Sequence, residues 1–91
     1  MADWIAPKEF EFCVRTFAGQ VLVYHPCSGE THNLGLDAGF LFSLILESKT
    51  PISTETLVFQ AGSENLEHLD FETVDSILAA LCPLGLLELA A

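Results

Sequence analysis

Hydrophobic and polar positions alternate along Phe10 to Phe17, with Phe10, Phe12 and Val14 on one side and Glu11, Cys13 and Arg15 on the other, the period of a half-buried strand. Ala18-Gly19-Gln20 follows as a hairpin turn. A second strand is expected over Val21 to His25, rich in β-branched and aromatic residues and stopped by Pro26. Ser28-Gly29-Glu30 makes another turn, and Thr31 to Leu34 a short third strand with no evident neighbour on its far side. The period then changes. Leu36, Phe40, Leu41, Leu44 and Ile45 recur at helical spacing, with Asp37 at the positive end of the helix, and Phe42 and Leu46 widen the apolar surface so that this helix is expected to be covered on more than one side. Pro51-Ile52-Ser53 breaks the chain and supplies an N-cap for a short helix from Thr54 to Ala61, ended by Gly62. After an acidic connection, Asp70 caps a third helix with the stripe Phe71, Val74, Ile77, Leu78, Leu81. Pro83 and Gly85 end it, leaving Leu86 to Leu89 as a terminal extended or tail segment packed on the core. The order implies an α+β domain, a three-stranded antiparallel sheet followed by three helices.

The 91 residues suffice for one domain, 1–91, and the pattern leaves 1–8 as a flexible or loosely packed segment. At 51% hydrophobic residues and a mean hydropathy of +0.44 the chain is not disordered, and some apolar surface is expected to stay exposed for docking. Thirteen acidic residues stand against Lys8, Arg15 and Lys49, a net charge of −10. This repels nucleic acid and anionic membranes, and on the third helix Asp70, Glu72 and Asp75 replace the basic residues that a groove-reading helix needs. No apolar run approaches the ~20 residues of a membrane span, and Met1-Ala2-Asp3-Trp4 lacks the basic and apolar regions of a secretory signal, so a cytoplasmic location is expected. Cys13, Cys27 and Cys82 are odd in number and widely spaced, unlike a disulfide framework.

The stretch Val21 to Leu34 contains Ser28-Gly29-Glu30-Thr31-His32-Asn33-Leu34, and this Ser-Gly-x-Thr-His-x-Leu core resembles the PqqD-like family. The resemblance is to the branch associated with kinases related to the HPr kinases, where an N-terminal Trp and a C-terminal Gly-Leu-Leu are usual; Trp4 and Gly85-Leu86-Leu87 match these. It implies a winged helix-turn-helix that does no chemistry and uses no cofactor. Such a domain binds the leader segment of a ribosomally made precursor peptide and presents it to a modifying enzyme. The resemblance places the peptide as an added strand between the third strand, Thr31, His32, Asn33 and Leu34, and the third helix, Phe71, Val74, Asp75, Leu78, Leu81 and Cys82. An edge strand's unpaired backbone groups and a neighbouring apolar helix suit that mode. The acidic chain suggests a ligand that is apolar with basic residues, or a basic enzyme surface.

Three other chemistries fit less well. Asp75-Ser76-Ile77 is similar to the phosphopantetheine site of acyl carrier proteins, but carriers are helical throughout, and Ser76 is expected on an exposed helix face. His25, Cys27 and His32 flank one turn, yet their spacing matches no established zinc pattern and no metal is expected. A nucleophilic cysteine would need Cys27 beside His25 or His32 and a pocket; Cys13 and Cys82 are read as small apolar residues, and His68 as solvated. The open third strand could also pair with a second copy, giving a homodimer that competes with peptide. An acidic docking module for a kinase-like partner is the alternative function.

Overall fold

The computed structural model describes residues 3–7, 11–48 and 50–90. Its elements run β1 (Asp3–Ile5), β2 (Cys13–Phe17), β3 (Gln20–Tyr24), β4 (Thr31–Leu34), α1 (Leu36–Glu47), β5 (Ile52–Ser53), α2 (Thr54–Ser63), α3 (Phe71–Leu81) and β6 (Glu88–Ala90). The class is α+β, with three helices and two three-stranded antiparallel sheets. The expected βββ and ααα order is present in β2–β4 and α1–α3, but β5 lies between the first two helices and β6 closes the chain, so strands and helices interleave.

The larger sheet, in the order β2-β3-β4, forms where alternation predicts it. Phe12 and Val14 are half-buried and Glu11, Cys13 and Arg15 exposed, while Phe10 lies outside the described residues. Ala18 and Gly19 both take positive φ, 51° and 76°, the two-residue turn whose twist matches the flanking strands. Val21 and Val23 point inward, opposite Leu34 and His32 respectively. The second sheet, β5-β1-β6, has β1 at its centre, pairing Trp4 with both Ile52 and Leu89.

That sheet corrects the expectation of a loose N-terminal segment for residues 3–7. Trp4, Ala6 and Pro7 are buried, and the Trp4 indole N–H donates to Thr54 Oγ1 at 2.9 Å. Thr54, itself buried, donates to Asp75 Oδ1 at 2.8 Å, so one side-chain chain joins β1, the start of α2 and α3. A three-residue strand carries too little periodicity to announce itself, whereas an indole gains enough by burial to order the segment around it.

The core lies between the larger sheet and the helices. Leu41, Phe42 and Ile45 of α1, Leu57 and Ala61 of α2, and Val74 and Leu78 of α3 are all essentially closed to solvent. Burial of a side chain such as Phe42 contributes about 1.5–3 kcal/mol. Its ring meets Phe12 edge to face, centroids 5.6 Å apart. Helix α1 approaches β3 closely because residue 39 is glycine: a Cβ there would stand 2.7 Å from Val21 Cβ and closer still to a Val21 methyl. Both predicted caps form. Ser53 Oγ accepts from the Thr56 N–H at 3.2 Å and Asp70 Oδ1 from the Thr73 N–H at 2.8 Å. The Thr73 bonds hold the Asp70 carboxyl below its ordinary pKa. Among the described residues no helix is long and apolar enough to cross a membrane.

Candidate functional site

Strand β4 ends its sheet: β3 covers one edge, and no other described strand lies against the other. The ladder's phase tells which backbone groups that edge presents. The His25 N–H donates to the Glu30 carbonyl at 2.8 Å, one rung beyond the Tyr24–Thr31 pair. Hydrogen-bonded and non-bonded pairs alternate in an antiparallel ladder, so His32 and Leu34 turn their backbone groups toward β3, and Thr31 and Asn33 turn theirs outward. The open edge therefore offers the N–H and C=O of Thr31 and of Asn33.

The side chains follow the opposite faces. Thr31 and Asn33 are exposed on the solvent face, where Asn33 Nδ2 donates to Gln20 Oε1 at 2.8 Å. Leu34 is buried and His32 half-buried on the inner face, His32 opposite the closed Val23. His32 Nε2 is sealed from solvent and has no hydrogen-bond partner, the one such side-chain atom among the described residues.

Of the α3 positions expected to form the other wall, Val74, Leu78 and Leu81 are core residues. Phe71 and Asp75 are exposed, and Cys82, expected on this helix, lies just past its end at Leu81, in a 3-10 turn, half-buried. Asp75 is engaged by Thr54, which ties it toward α2 and the second sheet. Burial, with a contribution from Glu88, raises the pKa of the Cys82 thiol. Helix α3 packs on α1 and α2, and β4 packs on β3 and α1, so α1 stands behind both elements.

One side-chain contact links α1 to the segment before α3. His68 Nε2 lies 3.0 Å from both carboxylate oxygens of Asp37, joining the first turn of α1 to the segment before α3. His68 is exposed as expected but paired rather than simply solvated. Leu36, 63% exposed, precedes Asp37 in the chain, and Phe71, 49% exposed, follows His68 by three residues. Leu36 reads in sequence as part of the α1 stripe; only the tertiary position of that first turn exposes it.

The turn before β4 is structural in its contacts. His25 is buried, its Nδ1 accepts from the N–H groups of Cys27 and Ser28 at 3.2 and 3.3 Å, and its ring packs edge to face on Phe12. Gly85, at φ 78°, allows that ring close approach, since a Cβ there would lie 3.0 Å from His25 Nε2. Cys27 is exposed, and among the described residues no three His, Cys, Asp or Glu side chains gather into a metal site. Ser76 lies on the exposed face of α3.

Comparison with protein-family models, with curated proteins and with solved structures finds no match to this chain.

Proposed function

We propose that this domain is a peptide-binding module of the PqqD-like kind that captures the leader segment of a ribosomally made precursor peptide as a fourth strand on β4 and presents it to a modifying enzyme. The observation that carries the reading is the open β4 edge, where the backbone groups of Thr31 and Asn33 face outward. The residues that carry the family resemblance, Ser28 to Leu34, form the turn into that strand and the strand itself. In this reading the β2–β3 hairpin is the wing, α2 and α3 are the helix-turn-helix, and the domain works in the cytoplasm without catalysis.

Two outward N–H and two outward C=O groups contribute roughly 0.5–1.5 kcal/mol each. Set against the cost of ordering a peptide, this favours affinities of about micromolar order. Strands β2, β3 and β4 contain no carboxylate, and all thirteen acidic residues lie elsewhere. A mostly apolar segment with flanking basic residues therefore suits the site, its apolar strand on the uncharged sheet and its cations toward the surrounding acids. The test is fluorescence anisotropy of the full chain with labelled leader segments from short open reading frames encoded beside its gene. Saturable binding that weakens as salt rises supports the proposal. Absence of binding to every such segment, with retained binding to a neighbouring kinase-like protein, would instead favour an acidic docking module. A second copy pairing through β4 would appear as peptide-competed dimerisation in sedimentation.

A further inference from the structure

His32 occupies the inner face of β4 directly opposite Val23, and its Nε2 is enclosed without a partner. A buried polar atom left unpaired costs stability, and a ligand side chain that pairs with it would regain that cost. Other buried polar side chains among the described residues are answered internally: Trp4 by Thr54, Thr54 by Asp75, and His25 by two backbone amides.

Resting on the strand-addition reading above, we infer that His32 is the specificity-determining residue of the β4 site and pairs with a hydroxyl or carboxamide side chain on the inward-facing position of the bound strand. The geometry of an antiparallel neighbour supports this. A strand added to the open edge lies about 4.8 Å from β4, and the residue opposite His32 puts its Cβ about 4.5–5.5 Å from that of His32, on the same face. Its side chain projects from the sheet on the same face as that of His32. The neighbouring inward positions fall beside Leu34 and the turn, so the recognised pattern is one neutral polar residue flanked at two-residue spacing by an apolar one. A hydroxyl or carboxamide both donates and accepts, and so answers Nε2 whether or not that nitrogen carries a hydrogen. A carboxylate would have to be buried in a chain already carrying a net charge of −10.

The experiment is to pan a random-peptide display library against the full chain and against its His32→Leu and His32→Gln variants, each first checked for cooperative unfolding. Peptides selected by the wild type should carry Ser, Thr, Asn or Gln at one position. Replacing it by Val or Leu should weaken binding about 5- to 150-fold for the wild type and leave His32→Leu binding unchanged, with discrimination returning in His32→Gln. On binding, the imidazole 15N signals of His32 should move. Peptides that lose affinity with Asn33→Pro yet show equal polar and apolar preference in the wild type and His32→Leu would overturn the role of His32 while leaving strand addition intact. Selected peptides that are indifferent to Asn33→Pro would overturn both.

Discussion

Proline at position 33 isolates the contribution of the open edge. The Asn33 N–H points away from β3, so its removal costs the sheet no ladder bond, and proline is tolerated on an edge strand in that phase. His32, the preceding residue, is already extended in β4, as a residue before proline must be. Asn33→Pro should therefore unfold at nearly the same urea concentration as the wild type. Its effect on the bound peptide is larger. One backbone bond is lost, about 0.5–1.5 kcal/mol net, and the peptide carbonyl that accepted it is left against a pyrrolidine ring, a further 1–3 kcal/mol. A combined loss of about 2–4 kcal/mol corresponds to roughly 30- to 1000-fold in Kd, enough to take micromolar binding to the millimolar range. Anisotropy or calorimetry with one peptide and three proteins measures it. Asn33→Ala is the control: it deletes the exposed bond to Gln20 Oε1 but keeps the N–H, and affinity should stay within about threefold. A folded Asn33→Pro protein that binds within threefold of the wild type would refute the reasoning.

Four further outcomes follow from contacts elsewhere. Thr54→Val keeps the shape but strips the acceptor from the Trp4 indole and the donor from Asp75, and should lower stability by about 1–3 kcal/mol in urea unfolding. Gly39→Ala should destabilise by about 1–3 kcal/mol despite alanine's better helix propensity, because its Cβ collides with Val21; Val21→Ala in the same chain should restore part of the loss. With its thiol pKa raised by burial, Cys82 should be alkylated by iodoacetamide more slowly than the exposed Cys13 and Cys27, as mass spectrometry of the native chain can show. Asp70, whose folded-state pKa is depressed, contributes its cap fully above the ordinary aspartate value of about 3.9, and that contribution is lost as pH falls through the lowered value. Acid unfolding of Asp70→Asn, which keeps a capping oxygen but cannot titrate, should lack this component of the pH dependence.

Elements with strong periodicity or capping chemistry are legible in the amino-acid sequence. Thr31 to Leu34 runs as expected, and the caps Ser53 and Asp70 sit at the helix starts where their side chains place them. The β5-β1-β6 sheet is not legible there, because its strands of two, three and three residues are shorter than one readable period and are brought together over most of the chain length. Leu86 to Leu89 reads as an extended tail, and its last residues form β6, but only the burial of Trp4 reveals the partner. The candidate site divides in the same way. The order of the elements leaves β4 as a strand without a neighbour on its far side, yet register alone tells that Thr31 and Asn33 face outward. The helical stripe names Val74, Leu78 and Leu81 correctly as apolar, but the same stripe cannot separate the core from a cleft, and these three are core. Phe71 and Leu36 stand at the first position of their helices and stay exposed, which the apolar stripe does not tell.

Amide hydrogen exchange of the 15N-labelled chain, read by NMR with and without a saturating leader peptide, tests the central claim most directly. Strand addition on β4 predicts that the Thr31 and Asn33 amides gain protection on binding, while those of His32 and Leu34, already bonded to β3, change little. Unchanged exchange at Thr31 and Asn33 in a saturated complex, or new protection confined to the opposite edge on β2, would contradict it.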